Sequence, residues 1–156
     1  MPKNYREITL FEEILKNGSS IRVKVTGRSM APFLCSGQIV TIKKVALDAL
    51  RKGDLIFFKN SHGTPLLHRI IQKRNSSNNK IIFRTKGDAL IAYDEPVQYQ
   101  SVLGKVSGIE KTNPGKRIKI INMESIRWRT INTIIAEISR FRSHLISVLT
   151  FFRFSG

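Results

Sequence analysis

IRVKVTGRSMAPFLCSGQIVTIKK, residues Ile21 to Lys44, is the stretch on which the fold turns. Ile21, Val23 and Val25 alternate with Arg22 and Lys24, the period-two pattern of a strand with one face in a core. Gln38 to Lys44 reads as a second strand, and Thr26 to Gly37 between them carries Gly27, Pro32 and Gly37, residues that punctuate a turn. That turn presents Ser29. A serine hydroxyl is a weak nucleophile at neutral pH, so Ser29 becomes a candidate nucleophile only if the chain also supplies a base and a group to orient the base. Taken alone, a serine in a turn is more often a turn residue and nothing else.

Outward from this stretch the same short-strand character continues. Upstream, Thr9 to Lys16 places Leu10, Phe11, Ile14 and Leu15 on one face, which predicts a short helix capped by Thr9 and stopped at Asn17-Gly18. Downstream, Asp48 to Lys52 is a short turn, and Leu55 to Lys59 and Leu66 to Gln72 form a hairpin about Ser61 to Pro65. A polar loop, Asn75 to Asn79, precedes a strand at Lys80 to Lys86 that Gly87-Asp88 breaks. Two more strands, Ser101 to Ile109 and Lys116 to Ile121, flank Asn113-Pro114-Gly115. Short strands with turn residues between them, and no βαβ alternation, predict a mainly β fold built on a coiled antiparallel sheet.

From Ser125 to Phe152 the period changes. Ile131, Ile134, Ile135, Ile138, Phe141, Leu145, Val148, Leu149 and Phe152 recur at three- and four-residue steps, predicting one long amphipathic helix or two. The expected organisation is an N-terminal helical segment (1–20), a β-rich domain (21–122) and a basic helical tail (123–156).

In the chain of 156 residues, 27 basic side chains face 11 acidic ones, and the net charge of +16 predicts attraction to an anionic partner. Only five of the basic residues lie in 127–156, so the tail is not the main source of charge. Residues 127–154 are the candidate contact with an anionic membrane surface. Nucleic acid is the poorer partner, because the basic residues are spread over strands and no readout motif is present. The single Cys35 excludes an internal disulfide, and no Cys/His spacing suggests a metal. No cofactor is implied. Met1 to Gly18 has no secretory-signal pattern, and no run approaches the roughly 18 apolar residues of a spanning helix. A peripheral membrane or cytoplasmic location is expected.

His68 is the best candidate base: it sits mid-strand in LLHRIIQ, where an imidazole is costly to bury without a partner. A satisfied core histidine is the plainer reading of that setting. Asp88 and Asp94, in KGDALIAYDEPV, are the candidates to orient the ring, although aspartates in such places are usually turn formers.

Taken together, GRSMAPFL, KGDLIFF, LLHRII, FRTKGDALIAYDEPV and LGKV, in that order, resemble the peptidase domain of type I signal peptidases. That serine-peptidase superfamily also contains the self-cleaving repressors. The resemblance covers about Val23 to Val106. It implies a β-rich core of coiled antiparallel sheets and cleavage of preproteins or leader peptides after small residues. Bacterial members commonly pair serine with lysine; His68 at the base position resembles the endoplasmic-reticulum and archaeal type. The resemblance makes Ser29 the nucleophile and His68 the general base. Asp88 matches the aspartate of TKGD and Asp94 the second acidic position, with Asp94 favoured for contact with His68.

Gly27 stands where many bacterial members carry a serine that helps bind the oxyanion, which leaves backbone support around Gly27, Ser29 and Met30. No amino-terminal anchor is evident, and the basic tail is foreign to the pattern. Val25 and Phe83, in Ile21 to Thr26 and Ile81 to Lys86, are the candidates for pairing with an extended substrate. The competing expectations are a cytoplasmic peptidase with one dedicated peptide and a binding module that kept the fold without the reaction. A self-cleaving repressor fits less well, because it would require a lysine base and a DNA-binding domain.

Overall fold

The computed structural model describes residues 4–46, 48–75, 81–111 and 118–154. The predicted loop at Asn75 to Asn79 falls mostly outside these residues, and Asn113-Pro114-Gly115 falls wholly outside them.

Helix α1 (Asn4–Lys16) starts earlier than its sequence pattern suggested, so Thr9 lies inside it and is no cap. It buries Ile8 and Leu15 while Leu10 is exposed. Its end is as expected: the Gly18 N–H donates to Leu15 O and the Ser19 N–H to Ile14 O, with Gly18 at φ +78°. Only glycine adopts that left-handed conformation without strain.

Seven strands follow one another across a single antiparallel sheet in the order β1 (Ser20–Lys24), β2 (Ile39–Lys43), β7 (Val102–Lys111), β3 (Leu55–Lys59), β4 (Pro65–Asn75), β5 (Ile81–Lys86), β6 (Val97–Gln98). An eighth, β8 (Lys119–Asn122), pairs with β7. Register slips interrupt the β2–β7, β3–β7 and β4–β5 ladders, and such bulges bend a sheet and increase its twist. The β6 strand, two residues joined to a 3-10 turn at Tyr99–Ser101, is too short to leave a periodic signal in sequence.

The apolar run Leu55-Ile-Phe-Phe58 is buried throughout because β3 has a core on each face. Leu55 and Phe57 pack with Leu15, Leu34, Val40, Ile42 and Val106, whereas Ile56 and Phe58 pack with Leu50, Ile70, Phe83 and Val102. Each such aliphatic or phenyl group stabilises the fold by about 1.5–3 kcal/mol through burial.

Helix α2 (Ile126–Phe154) is one continuous helix. It lies on the sheet through Asn132, Ala136, Ser139 and Ser143, all buried, four positions that share one helical face. Gly53 permits the close approach: a Cβ there would meet backbone atoms of Asn132 and Thr133 at 2.7 Å. Of the apolar stripe read from the sequence, Ile131 and Ile135 are half-buried and the other described side chains point away from the sheet. Ile134, Ile138, Phe141 and Leu145 are all exposed. The side chains of Val148, Leu149 and Phe152 lie outside the described residues. No described helix is long and apolar enough to cross a membrane.

Candidate active site

Three strands deliver the candidate residues to one place. The chain leaves β1, passes Gly27 at φ +86°, and presents Ser29, half-buried, while Met30 beside it is 3% exposed and anchors the turn in the core. Strand β4 carries His68, and the loop after β5 carries Asp94. His68 Nε2 lies 3.0 Å from Ser29 Oγ, and its Nδ1 lies 2.8 Å from Asp94 Oδ2. The ring is buried, with Phe58 edge-on at 6.4 Å between centroids. Both ring nitrogens therefore have partners, as a buried imidazole requires.

Asp94 is held from two further directions. Its N–H donates to Thr85 O at 3.0 Å, and Thr85 Oγ1 donates to Asp94 Oδ2 at 2.6 Å. Burial by itself would raise the carboxyl pKa. The hydrogen bonds from His68 and Thr85, with the charge of the imidazole, outweigh it and hold Asp94 below its ordinary value. The carboxylate thus stays ionised near neutral pH.

Asp88 is not part of this line. It accepts two bonds from the next residue along β4: Arg69 Nε and Nη2 reach Oδ1 and Oδ2 at 2.7 Å each. Arg69 Nη1 also donates to Gly53 O at 2.9 Å and Asn132 Oδ1 at 2.8 Å, and the guanidinium stacks 4.6 Å from the Phe33 ring centroid. Successive residues of a strand face opposite ways, so His68 and Arg69 draw on opposite sides of β4. The Gly87–Asp94 loop is in turn pinned to the serine turn: the Ala89 N–H donates to Ser29 O at 2.8 Å, and a Cβ on Gly87 would sit 2.6 Å from that oxygen. Gly87 is glycine because nothing larger fits.

Lys86 is fully buried behind this loop, donating to Ser139 O at 2.8 Å and Ser143 Oγ at 2.6 Å. Burial, then the charge of Arg142, lowers its pKa, and Asp88 partly offsets them. Arg69, Thr85, Lys86 and Asn132 were not singled out in the sequence. A cation next to the base in an apolar run, and a second beside Gly87-Asp88, were signals that buried counter-groups must exist.

A cleft of about 570 Å³ leads to Ser29 and His68. Its walls are Arg22 to Gly27 from β1 and its extension, and Thr64 to His68 from the start of β4, with Phe11 of α1, Met30 and Phe57 also lining it. The two walls have open edges. Among the described residues β1 pairs only with β2, and residues 65–68 of β4 pair only with β3. Val25 lines the cleft. Phe83 does not belong there: it is fully buried, and at Ile82 and Phe83 the strand is paired on both sides, by β4 and β6. Burial on one face and a second ladder on the other exclude β5 as a substrate edge at that position.

No cluster of three or more His, Cys, Asp or Glu that could hold a metal occurs among the described residues.

Comparison with known proteins finds partial sequence similarity to signal peptidases. Over 95 residues the chain is 30% identical to signal peptidase I W of Bacillus subtilis (strain 168), a match covering 60% of this chain and 49% of the relative. Over 76 residues it is 32% identical to the signal peptidase complex catalytic subunit SEC11C of Homo sapiens and of Canis lupus familiaris, covering 48% of this chain and 40% of theirs. No protein-family model matches the chain. The chain is therefore homologous, over part of its length, to signal peptidases, and it spans half or less of the length of these relatives.

Proposed function

We propose that this chain is a serine endopeptidase of the signal-peptidase type, with Ser29 as nucleophile, His68 as general base and Asp94 as the group that orients it. The observation that carries the reading is one buried imidazole with a serine hydroxyl on Nε2 and an ionised aspartate on Nδ1. In the reaction Ser29 Oγ attacks the scissile carbonyl while its proton passes to His68 Nε2. The imidazolium, stabilised by Asp94, then protonates the leaving amine as the C–N bond breaks. Water repeats the sequence on the acyl-enzyme and frees Ser29. Gly27 offers no hydroxyl to the oxyanion, so the Ser29 N–H is the donor assigned to it, and the loss of a second donor costs on the order of a hundredfold in rate.

The substrate is a leader-bearing peptide or preprotein, held extended between the open edge of β1 at Arg22 to Val25 and residues 65–68 of β4. The partial homology to signal peptidases supports this substrate class.

The test is cleavage of a panel of leader peptides with small residues before the scissile bond. Wild type cleaves at least one member, and Ser29→Ala cuts none. A wild-type protein that labels with no serine-directed probe and cleaves nothing would leave a binding module on this fold. Proline at Lys24, which disrupts the open edge, raises KM with little change in kcat; an unchanged KM removes the β1 edge from the account.

A further inference from the structure

Beyond Trp128, which packs against Phe33 and the core, helix α2 faces the protein with small and polar residues and presents large apolar ones to water. Asn132, Ala136, Ser139 and Ser143 are buried on the sheet, while Ile134, Ile138, Phe141 and Leu145 are 53, 63, 68 and 48% exposed. The exposed four recur at four- and three-residue steps, so they form one stripe about 16 Å long on the side opposite the docked face. A continuous apolar stripe in water is unfavourable and marks a contact surface.

Beside the stripe, a groove of about 590 Å³ runs between β5 and α2. Arg84, Tyr93, Arg140 and His144 line it together with Phe141, which belongs to both stripe and groove. Arg84 lies over the Tyr93 ring at 4.5 Å and remains exposed. The groove also contains Glu137, but that carboxylate is already held by Lys52 and by Arg140, the latter at 3.1 Å.

We propose that α2 docks on an anionic lipid surface, with Ile134, Ile138, Phe141 and Leu145 at the acyl boundary and lipid phosphates against Arg84, Arg140 and Arg142. Charge selects this occupant over a second copy of the chain. Each copy carries +16, and residues 127–142 bring four basic side chains against the single Glu137. Two such helices face to face would repel one another, whereas an anionic bilayer satisfies the apolar stripe and the arginines together. The docked face stays engaged throughout, because the stripe lies opposite it. This inference is independent of the peptidase reading and is tested by binding, not by cleavage.

The experiment is co-sedimentation of the full chain with vesicles of phosphatidylcholine, with and without phosphatidylglycerol. Wild type binds the anionic vesicles and stays in the supernatant with the zwitterionic ones. The neutral substitutions Ile138→Gln and Phe141→Gln, which alter no charge and no docked residue, weaken binding roughly tenfold or more each. Arg84→Gln and Arg140→Gln weaken it by about fivefold each. Lys44→Gln, the same charge change at an exposed residue off the helix, leaves it within about twofold.

Absence of binding by wild type overturns the proposal, as does binding that Ile138→Gln and Phe141→Gln leave unchanged, since charge alone would then explain it. A dimer by light scattering that Phe141→Gln dissociates also overturns it, assigning the stripe to a second copy. Inorganic phosphate that competes fully with the vesicles assigns the groove to a soluble anion and overturns it likewise.

Discussion

His68 and Arg69 are neighbours in β4, and each meets a carboxylate from the loop that follows β5, yet the two pairs occupy different physical regimes. The Arg69–Asp88 pair is closed. The guanidinium is 0% exposed and spends its donors on Asp88, Gly53 O and Asn132 Oδ1. It can hold a loop and a helix together but cannot exchange a proton. The His68–Asp94 pair is buried too, but its far nitrogen ends on a serine hydroxyl at the mouth of a cleft. An imidazole can take up a proton there and give it back. One strand thus places an imidazole against a serine hydroxyl on one side and the fastening of α2 on the other.

The two pairs separate most sharply when one partner of each is replaced. Asp94→Asn keeps the shape of the site but removes the charge that fixes the imidazole, and kcat/KM should fall on the order of 10⁴-fold with only a modest fall in the unfolding midpoint. Arg69→Met should do the opposite. It leaves Asp88 buried without its cation and releases Asn132, costing about 3–5 kcal/mol in denaturant unfolding. Adding Asp88→Leu should recover part of that loss, because the stranded carboxylate is then gone.

Thr85→Val is a smaller cut into the His68–Asp94 side. It removes one of the two donors on Asp94 Oδ2, lets the carboxyl pKa rise toward its ordinary value, and should lower kcat/KM about tenfold. The same depressed pKa sets a pH signature. Asp94 binds a proton less readily folded than unfolded, so its contribution to stability is complete above the ordinary carboxylate range and is lost as pH falls through the folded value. Acid unfolding of Asp94→Asn should therefore be flatter than that of wild type. The smallest effect is expected at the exposed Lys43–Glu124 pair, where Lys43→Met should change stability by about 1 kcal/mol or less.

The sequence made one side of this comparison far more legible than the other. Ser29, His68 and Asp94 are carried by an ordered set of short motifs, and strands such as Leu55 to Lys59 follow from alternation and turn residues. The positions of Arg69 and Lys86 call for buried counter-groups but do not say which, because Asn132, Ser139 and Ser143 lie more than fifty residues away. Nothing local encodes such a pairing. The orientation of α2 was illegible for a related reason: its period identifies an apolar stripe but not which face the sheet takes, and here small polar residues allow the closer approach. Phe83 misled as a substrate edge because strand order, which pairs β5 on both sides, is a tertiary property.

The most direct measurement is cleavage rate per folded molecule for His68→Ala beside Arg69→Met, on a leader peptide that wild type cuts. If His68 is the base, His68→Ala folds with a near-native melt and has no measurable cleavage, while Arg69→Met melts earlier and, where folded, keeps its rate within about tenfold. His68→Ala cleaving at the wild-type rate would contradict that role.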